Sequence, residues 1–240
     1  MAKYAAGSMK EESSLARHNA HWAALMGYDW MIETPSLIFN EMDESETVSI
    51  LNDIEWLLKE DAGNQLHSFL YKNKVLSAYP VLQAAYFTLT RPLQRVFWNG
   101  NQIERSLLID FPGLGEIRAF CNNCWERGDG PALNQEHHVG LSGLTYRMYQ
   151  DENSGFSLNS IDSKDDDFTS YEFSGARLSN IVSAESFYHK GWFADLEFDG
   201  ISSPDHRIRI WIHKKNIDSA PVEGVKYSGE LWLQCSFKSE

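Results

Sequence analysis

In the run Arg207-Ile208-Arg209-Ile210-Trp211-Ile212-His213, three isoleucines alternate with side chains that could do chemistry. Successive side chains of a strand point to opposite faces, so Arg207, Arg209, Trp211 and His213 share the face away from the isoleucines. On that face Trp211 offers apolar area at small entropic cost, and Arg209 can fix an acidic or carbonyl group through charge-assisted hydrogen bonds. His213 titrates near neutral pH and is the natural general acid or base of the strand. The same division recurs in Leu231-Trp232-Leu233-Gln234-Cys235-Ser236-Phe237, where Trp232, Gln234 and Ser236 oppose an apolar stripe. If both aliphatic stripes face a helical layer, then Trp98, Arg209, Trp211 and Trp232 line one ligand pocket in the concave face of a sheet. His213, assisted by Arg209, is then the catalytic candidate. The competing arrangement is a half-exposed sheet with Arg on its wet face and Trp as cross-strand packing.

A second constellation is Cys121-Asn122-Asn123-Cys124, followed after a spacer by His137-His138. Two thiolates two residues apart can hold one zinc ion, but a finger needs its second histidine about three to five residues beyond the first. His137 and His138 are adjacent and on a strand would diverge, so no metal is expected. A redox pair is a weaker reading, because the surroundings suggest a strand end and not the start of a helix. His18 and His21 share a helix face, yet no glutamate stands at the zincin position. No G-x-S-x-G elbow, phosphate loop or G-x-G-x-x-G is present, which removes the common hydrolase and nucleotide signatures. No cofactor is expected. The acidic tract Asp162-Ser163-Lys164-Asp165-Asp166-Asp167 lacks the glycine and distal glutamate of an EF-hand and reads as a solvated loop.

The 240 residues carry 21 Lys plus Arg against 34 Asp plus Glu, a net charge of −13. Affinity for nucleic acid comes largely from cationic side chains that release counterions, so DNA and RNA are excluded as expected partners. With 42% hydrophobic and 13% aromatic residues the chain can build a substantial core. Cys121, Cys124 and Cys235 are too few and too uneven for a disulfide framework, which favours a reducing compartment. The chain opens without a secretory signal, and its most apolar stretch, 75–87, is interrupted by Pro80 and too short to span a bilayer. A cytoplasmic protein without membrane contact is expected, with residues 1–8 readable as a cloning remnant.

The elements that must position these groups divide near residue 92. Val48, Ile50, Leu51, Ile54, Leu57 and Leu58 recur at mostly three- and four-residue steps, which predicts a helix over 46–59 capped by Asp43 with Glu46. Further helices are expected around Leu15 to Met26, around Leu66 to Leu70 after Gly63, and from Pro80 to Leu89. Beyond Pro92 the period changes to two. Asn99-Gly100 predicts a tight hairpin between Arg95–Trp98 and Gln102–Phe111, and strand-like runs follow at 116–121, 144–149, 168–173, 187–198, 207–214 and 227–237. The expectation is one α+β domain over 9–240. Its helical layer, about 9–91, packs on an antiparallel meander, about 93–238, of roughly eight strands that is strongly curved or partly closed. Two functions fit this frame. One is a pocket protein for a small, partly apolar or aromatic molecule, with room for acid-base chemistry. The other is an acidic interaction module, such as an inhibitor or immunity protein, that covers a basic partner through steered association.

Overall fold

The structure is a computed structural model that describes residues 19–27, 46–51, 54–71, 74–97, 103–127, 130–152, 155–161, 169–198 and 206–238. It corrects the α+β expectation: among the described residues there is one short α-helix, and most of the region expected to be helical is a sheet. β1 (Glu46–Leu51), β2 (Ile54–Asp61), β3 (Asn64–Tyr71) and β4 (Lys74–Leu82) form an antiparallel four-stranded sheet in that order. The pattern that suggested a helix over 46–59 is two strands in succession. Val48 and Ile50 alternate in the first, Ile54, Trp56 and Leu58 in the second, and their concatenation imitates three- and four-residue spacing. Gly63 closes a hairpin instead of ending a helix, since Ala62 and Gly63 both take the positive φ of a two-residue turn, 51° and 96°. Pro80, expected in a first helical turn, lies in β4, an edge strand, where a missing N–H breaks no ladder.

The strand runs after residue 92 fall on strands: β5 (Thr88–Phe97), β6 (Arg105–Phe111), β7 (Gly115–Cys121), β8 (His137–Gln150), β9 (Ser157–Ser160), β10 (Ser170–Ser186), β11 (His189–Glu197), β12 (Ile208–His213) and β13 (Lys226–Phe237). Their nine-stranded sheet is mixed and not a meander. Its spine is the long antiparallel pair β8–β13, running from Val139↔Phe237 to Tyr227↔Gln150. At one end β5 pairs with β8 and β7 runs parallel to β13, with β6 between them. At the other end β12 runs parallel to β8 and β10 pairs with β13, with β11 between them. Each three-strand group therefore closes a ring with the spine. The turn of the expected hairpin, 99–100, and the tract 162–167 lie outside the described residues, although β5 and β6 pair as that hairpin requires.

Two cores result. One face of the large sheet gathers Leu107, Ile117, Leu141, Phe173, Leu196, Ile208, Ile210, Ile212, Leu231 and Leu233 into an aliphatic core shared by both rings. The opposite face presents Phe120, Leu144, Phe193, Trp211 and Trp232 to the four-stranded sheet and to α1 (Asn19–Met26), where Trp22, Leu25, Phe69 and Tyr79 complete an aromatic core. α1 is the part of the expected helical layer that is present. It ends at Gly27, whose φ of 95° is the left-handed C-cap conformation. A Cβ there would lie 2.5 Å from His213 Cε1, so glycine also permits the close approach of that ring.

Candidate functional site

The alternation on β12 and β13 is as read from the sequence, but the faces have exchanged neighbours. The isoleucine and leucine stripes face the interior of the large sheet, and the face carrying Trp211 and Trp232 receives the second layer. Trp211 is fully buried, and its Nε1 donates to the Leu25 carbonyl at 2.9 Å. Trp232 is stacked flat against His21 with ring centroids 3.6 Å apart, and its Nε1 donates to Thr169 Oγ1 at 2.7 Å. Arg209 pairs with the fully buried Asp195 at 2.9 Å and lies 5.7 Å from the Phe193 ring centroid. His213 is buried, and its Nδ1 accepts from Lys215 N at 3.1 Å. Trp98 and His18 lie outside the described residues. Gln234, on the same face as Trp232, clamps the edge of β4: its Oε1 accepts from Leu82 N and its Nε2 donates to Pro80 O, both at 2.9 Å.

Among the described residues a cavity lies between the two sheets, and Arg209, Trp211, His213 and Trp232 are not among the residues that line it. That cavity, of about 330 Å³, is bounded by Trp56 of β2, Gln65 and His67 of β3, Val81 of β4, and Gln83, Ala84 and Phe87 of the β4–β5 connection. Asn122, Asn123 and Glu126 from the turn after β7, with Ser236 and Phe237 at the end of β13, close the other side. The volume is at the small end of ligand pockets, and seven of the twelve lining residues are polar, so hydrogen bonding has a larger share here than in a typical apolar pocket.

A hydrogen-bonded chain fixes the wall. Trp56 Nε1 donates to His67 Nδ1 at 3.2 Å, which leaves the proton on Nε2 to donate to Gln65 Oε1 at 2.9 Å. Gln65 Nε2 donates in turn to Glu60, as does Gln83 Nε2 at 3.1 Å. Burial holds the His67 ring down to about 3, so it stays neutral and orients its neighbours instead of exchanging protons near neutrality. Across the cavity, Asn123 bonds the backbone of Phe237 twice, through Nδ2 to its carbonyl at 3.0 Å and through Oδ1 from its N–H at 2.9 Å. Asn122, almost wholly buried, donates through Nδ2 to Gln234 Oε1 at 3.3 Å while its Oδ1 has no hydrogen-bond partner. Trp125 packs on Trp56 with centroids 4.5 Å apart and ties its Nε1 to Asn122 O.

Cys121 and Cys124 bracket this wall and are joined to each other as a disulfide, whereas Cys235 is a free, buried thiol. This corrects the reading of a chain without disulfides. In the bonded form neither sulfur offers a thiolate to a metal, and among the described residues no group of three or more His, Cys, Asp or Glu could hold one. His137 instead donates through Nε2 to Ala132 O at 3.0 Å. Among the described residues no helix is long and apolar enough to cross a membrane. Sequence spacing does not reveal these cavity residues, because Trp56 and His67 stand in runs whose spacing also fits helices and Asn122-Asn123 reads as a spacer between two thiols. The Cys-x-x-Cys spacing was the one signal pointing to this turn. No protein-family model, no curated protein and no solved structure matches this chain.

Proposed function

We propose that this protein binds a small, partly aromatic molecule in the cleft between its two sheets. The observation that carries the reading is the cavity itself, with Trp56, Val81 and Phe87 as apolar walls and the polar side chains of Gln83, Asn123 and Ser236 set between them. Recognition on this account is by shape and hydrogen bonding, because His67 is held neutral and both of its nitrogens are occupied.

The test is titration with 2-phenylethanol followed by ligand-observed NMR, on the native chain and on Ser236→Trp. Ser236 is a half-buried wall residue whose enlargement fills the cleft without removing any existing packing. Saturable one-site binding that Ser236→Trp abolishes is expected. Absence of saturable binding, or binding indifferent to the filled cleft, overturns the reading. The net charge of −13 favours a second reading, an acidic cover for a basic partner. Association with such a partner would slow steeply with salt, since exposed charges are screened beyond about 8 to 10 Å at physiological ionic strength.

A further inference from the structure

We propose that Cys121 has two disulfide partners: the Cys121–Cys124 bond isomerises to a Cys121–Cys235 bond and releases Cys124 as a thiol. The observation that carries this is the register of the parallel pair β7–β13, in which Cys235 stands directly opposite Cys121 and Gln234 opposite Phe120. Opposed residues on neighbouring strands project to the same face. Phe120 and Gln234 accordingly turn toward the second layer, whereas Cys121, Cys124 and Cys235 lie together in the aliphatic core. Neighbouring strands run about 4.8 Å apart, inside the span of about 4.4 to 6.8 Å that a disulfide bridges between Cα atoms. Asn122 N donates to Cys235 O at 2.8 Å and holds the two strands in this register beside the cysteines. The Cys235 thiol reaches across to β7, 3.9 Å from Ala119 O. A thiol is a weak donor, so turning this sulfur from that carbonyl toward Cys121 forfeits little.

A free thiol beside a disulfide is the reactant set of thiol–disulfide exchange. The Cys235 thiolate attacks Cys121 Sγ in line with the existing bond. The Cys121–Cys235 bond forms as the Cys121–Cys124 bond breaks, and the Cys124 sulfur leaves with the electron pair and takes up the proton that Cys235 lost. One disulfide and one thiol stand on each side, so the step needs neither oxidant nor reductant. It also needs no entry of a solution thiol, which matters because all three cysteines are fully buried. Burial pushes the Cys235 thiol well above its ordinary value, so the thiolate is scarce near neutrality and the Cys121–Cys124 isomer persists until base supplies it. The exchange also alters the cleft, since Asn122, Asn123 and Glu126 reach its wall from the turn that this disulfide closes. In the second isomer that turn is held by hydrogen bonds alone, Asn123 to both backbone groups of Phe237 and Glu126 N to Asn123 O at 3.2 Å.

The experiment follows the free thiol of the native full chain. The protein is held at pH 7 and at pH 9 under nitrogen with no added thiol, quenched in acid, blocked with N-ethylmaleimide in urea, and digested with trypsin without reduction for tandem mass spectrometry. At the start the label is expected on Cys235. At pH 9 it is expected to move to Cys124 while a linked pair of peptides, 119–127 with 227–238, appears. At pH 7 the same change should be about a hundredfold slower, following the thiolate fraction. Cys124→Ala, refolded in a buffer of reduced and oxidised glutathione, is expected to form the Cys121–Cys235 bond, and Cys235→Ala to keep Cys121–Cys124 with no label on Cys124 at either pH. A label that stays on Cys235 in the native chain at pH 9 overturns the proposal and leaves Cys235 as a small apolar filler of the core. So does Cys124→Ala folding with both thiols free, or label reaching Cys124 in Cys235→Ala. If Cys124→Ala does not fold, the native-chain measurement decides alone.

Discussion

His67 links the aromatic wall of the cavity to the pH dependence of folding, and the size of that link follows from its burial. In the unfolded chain the ring titrates at its ordinary value of 6.5, whereas in the fold it is held down to about 3. Between those values the unfolded chain binds the extra proton, so stability rises with pH through this window and is lost as pH falls below 6.5. Each unit of separation corresponds to about 1.36 kcal/mol. From about pH 7 to about pH 5 the unfolded ring becomes almost fully protonated while the folded ring does not, a loss of about 2 kcal/mol. With a urea slope of about 2 kcal/mol per molar, the midpoint falls by about 1 M from this group alone. The control is His67→Phe, which keeps a ring in the core and cannot titrate. It forfeits the bonds to Trp56 and Gln65 and is less stable at both pH values, but the His67 share of the pH loss should vanish. Urea unfolding of both proteins at both pH values isolates that share, since every other histidine is common to the two. An equal midpoint loss in His67→Phe refutes the claim that the buried ring is held neutral by its surroundings.

Two further perturbations probe what holds the layers and the cavity wall. Gln234→Leu removes the side-chain partner of Leu82 N–H, Pro80 C=O and Asn122 Nδ2 at the sheet–sheet junction, and the loss of these three bonds should cost about 3 kcal/mol in urea unfolding; a change below about 0.5 kcal/mol would show that Gln234 does not dock β4. Opening the Cys121–Cys124 bond by the double substitution to Ala removes a covalent loop of only four residues, so chain entropy accounts for about 2 kcal/mol, measured by thermal or urea unfolding against the oxidised parent. Loss of folding altogether would contradict so small a role.

The later strands were legible because alternation is a local property: the parity that separates Ile208, Ile210 and Ile212 from Arg209 and Trp211 survives whatever packs on either face. Which face meets a second layer is not local. The second layer was itself misread, since Val48 to Leu58 satisfies helical spacing as well as two short strands, and short apolar runs do not separate the two periods. The partners of Trp211 and Gln234 lie 186 and 152 residues away in sequence, at Leu25 and Leu82. No spacing rule reaches that far. The cavity suffered the same limit, because its walls come from β2, β3, β4, the turn after β7 and the end of β13, and only folding brings those segments together. The disulfide is legible in the Cys-x-x-Cys spacing wherever the chain turns between the two thiols, and a low count of cysteines in the whole chain does not bear on a single local pair.

The most direct test of the binding site is backbone amide NMR of the isotopically labelled chain titrated with 2-phenylethanol. The account predicts that the largest shifts fall together at Trp56, His67, Gln83, Asn122, Glu126 and Phe237, the walls of the cleft. Shifts concentrated instead on Arg209, Trp211, His213 and Trp232, or no saturable shifts at all, would contradict it.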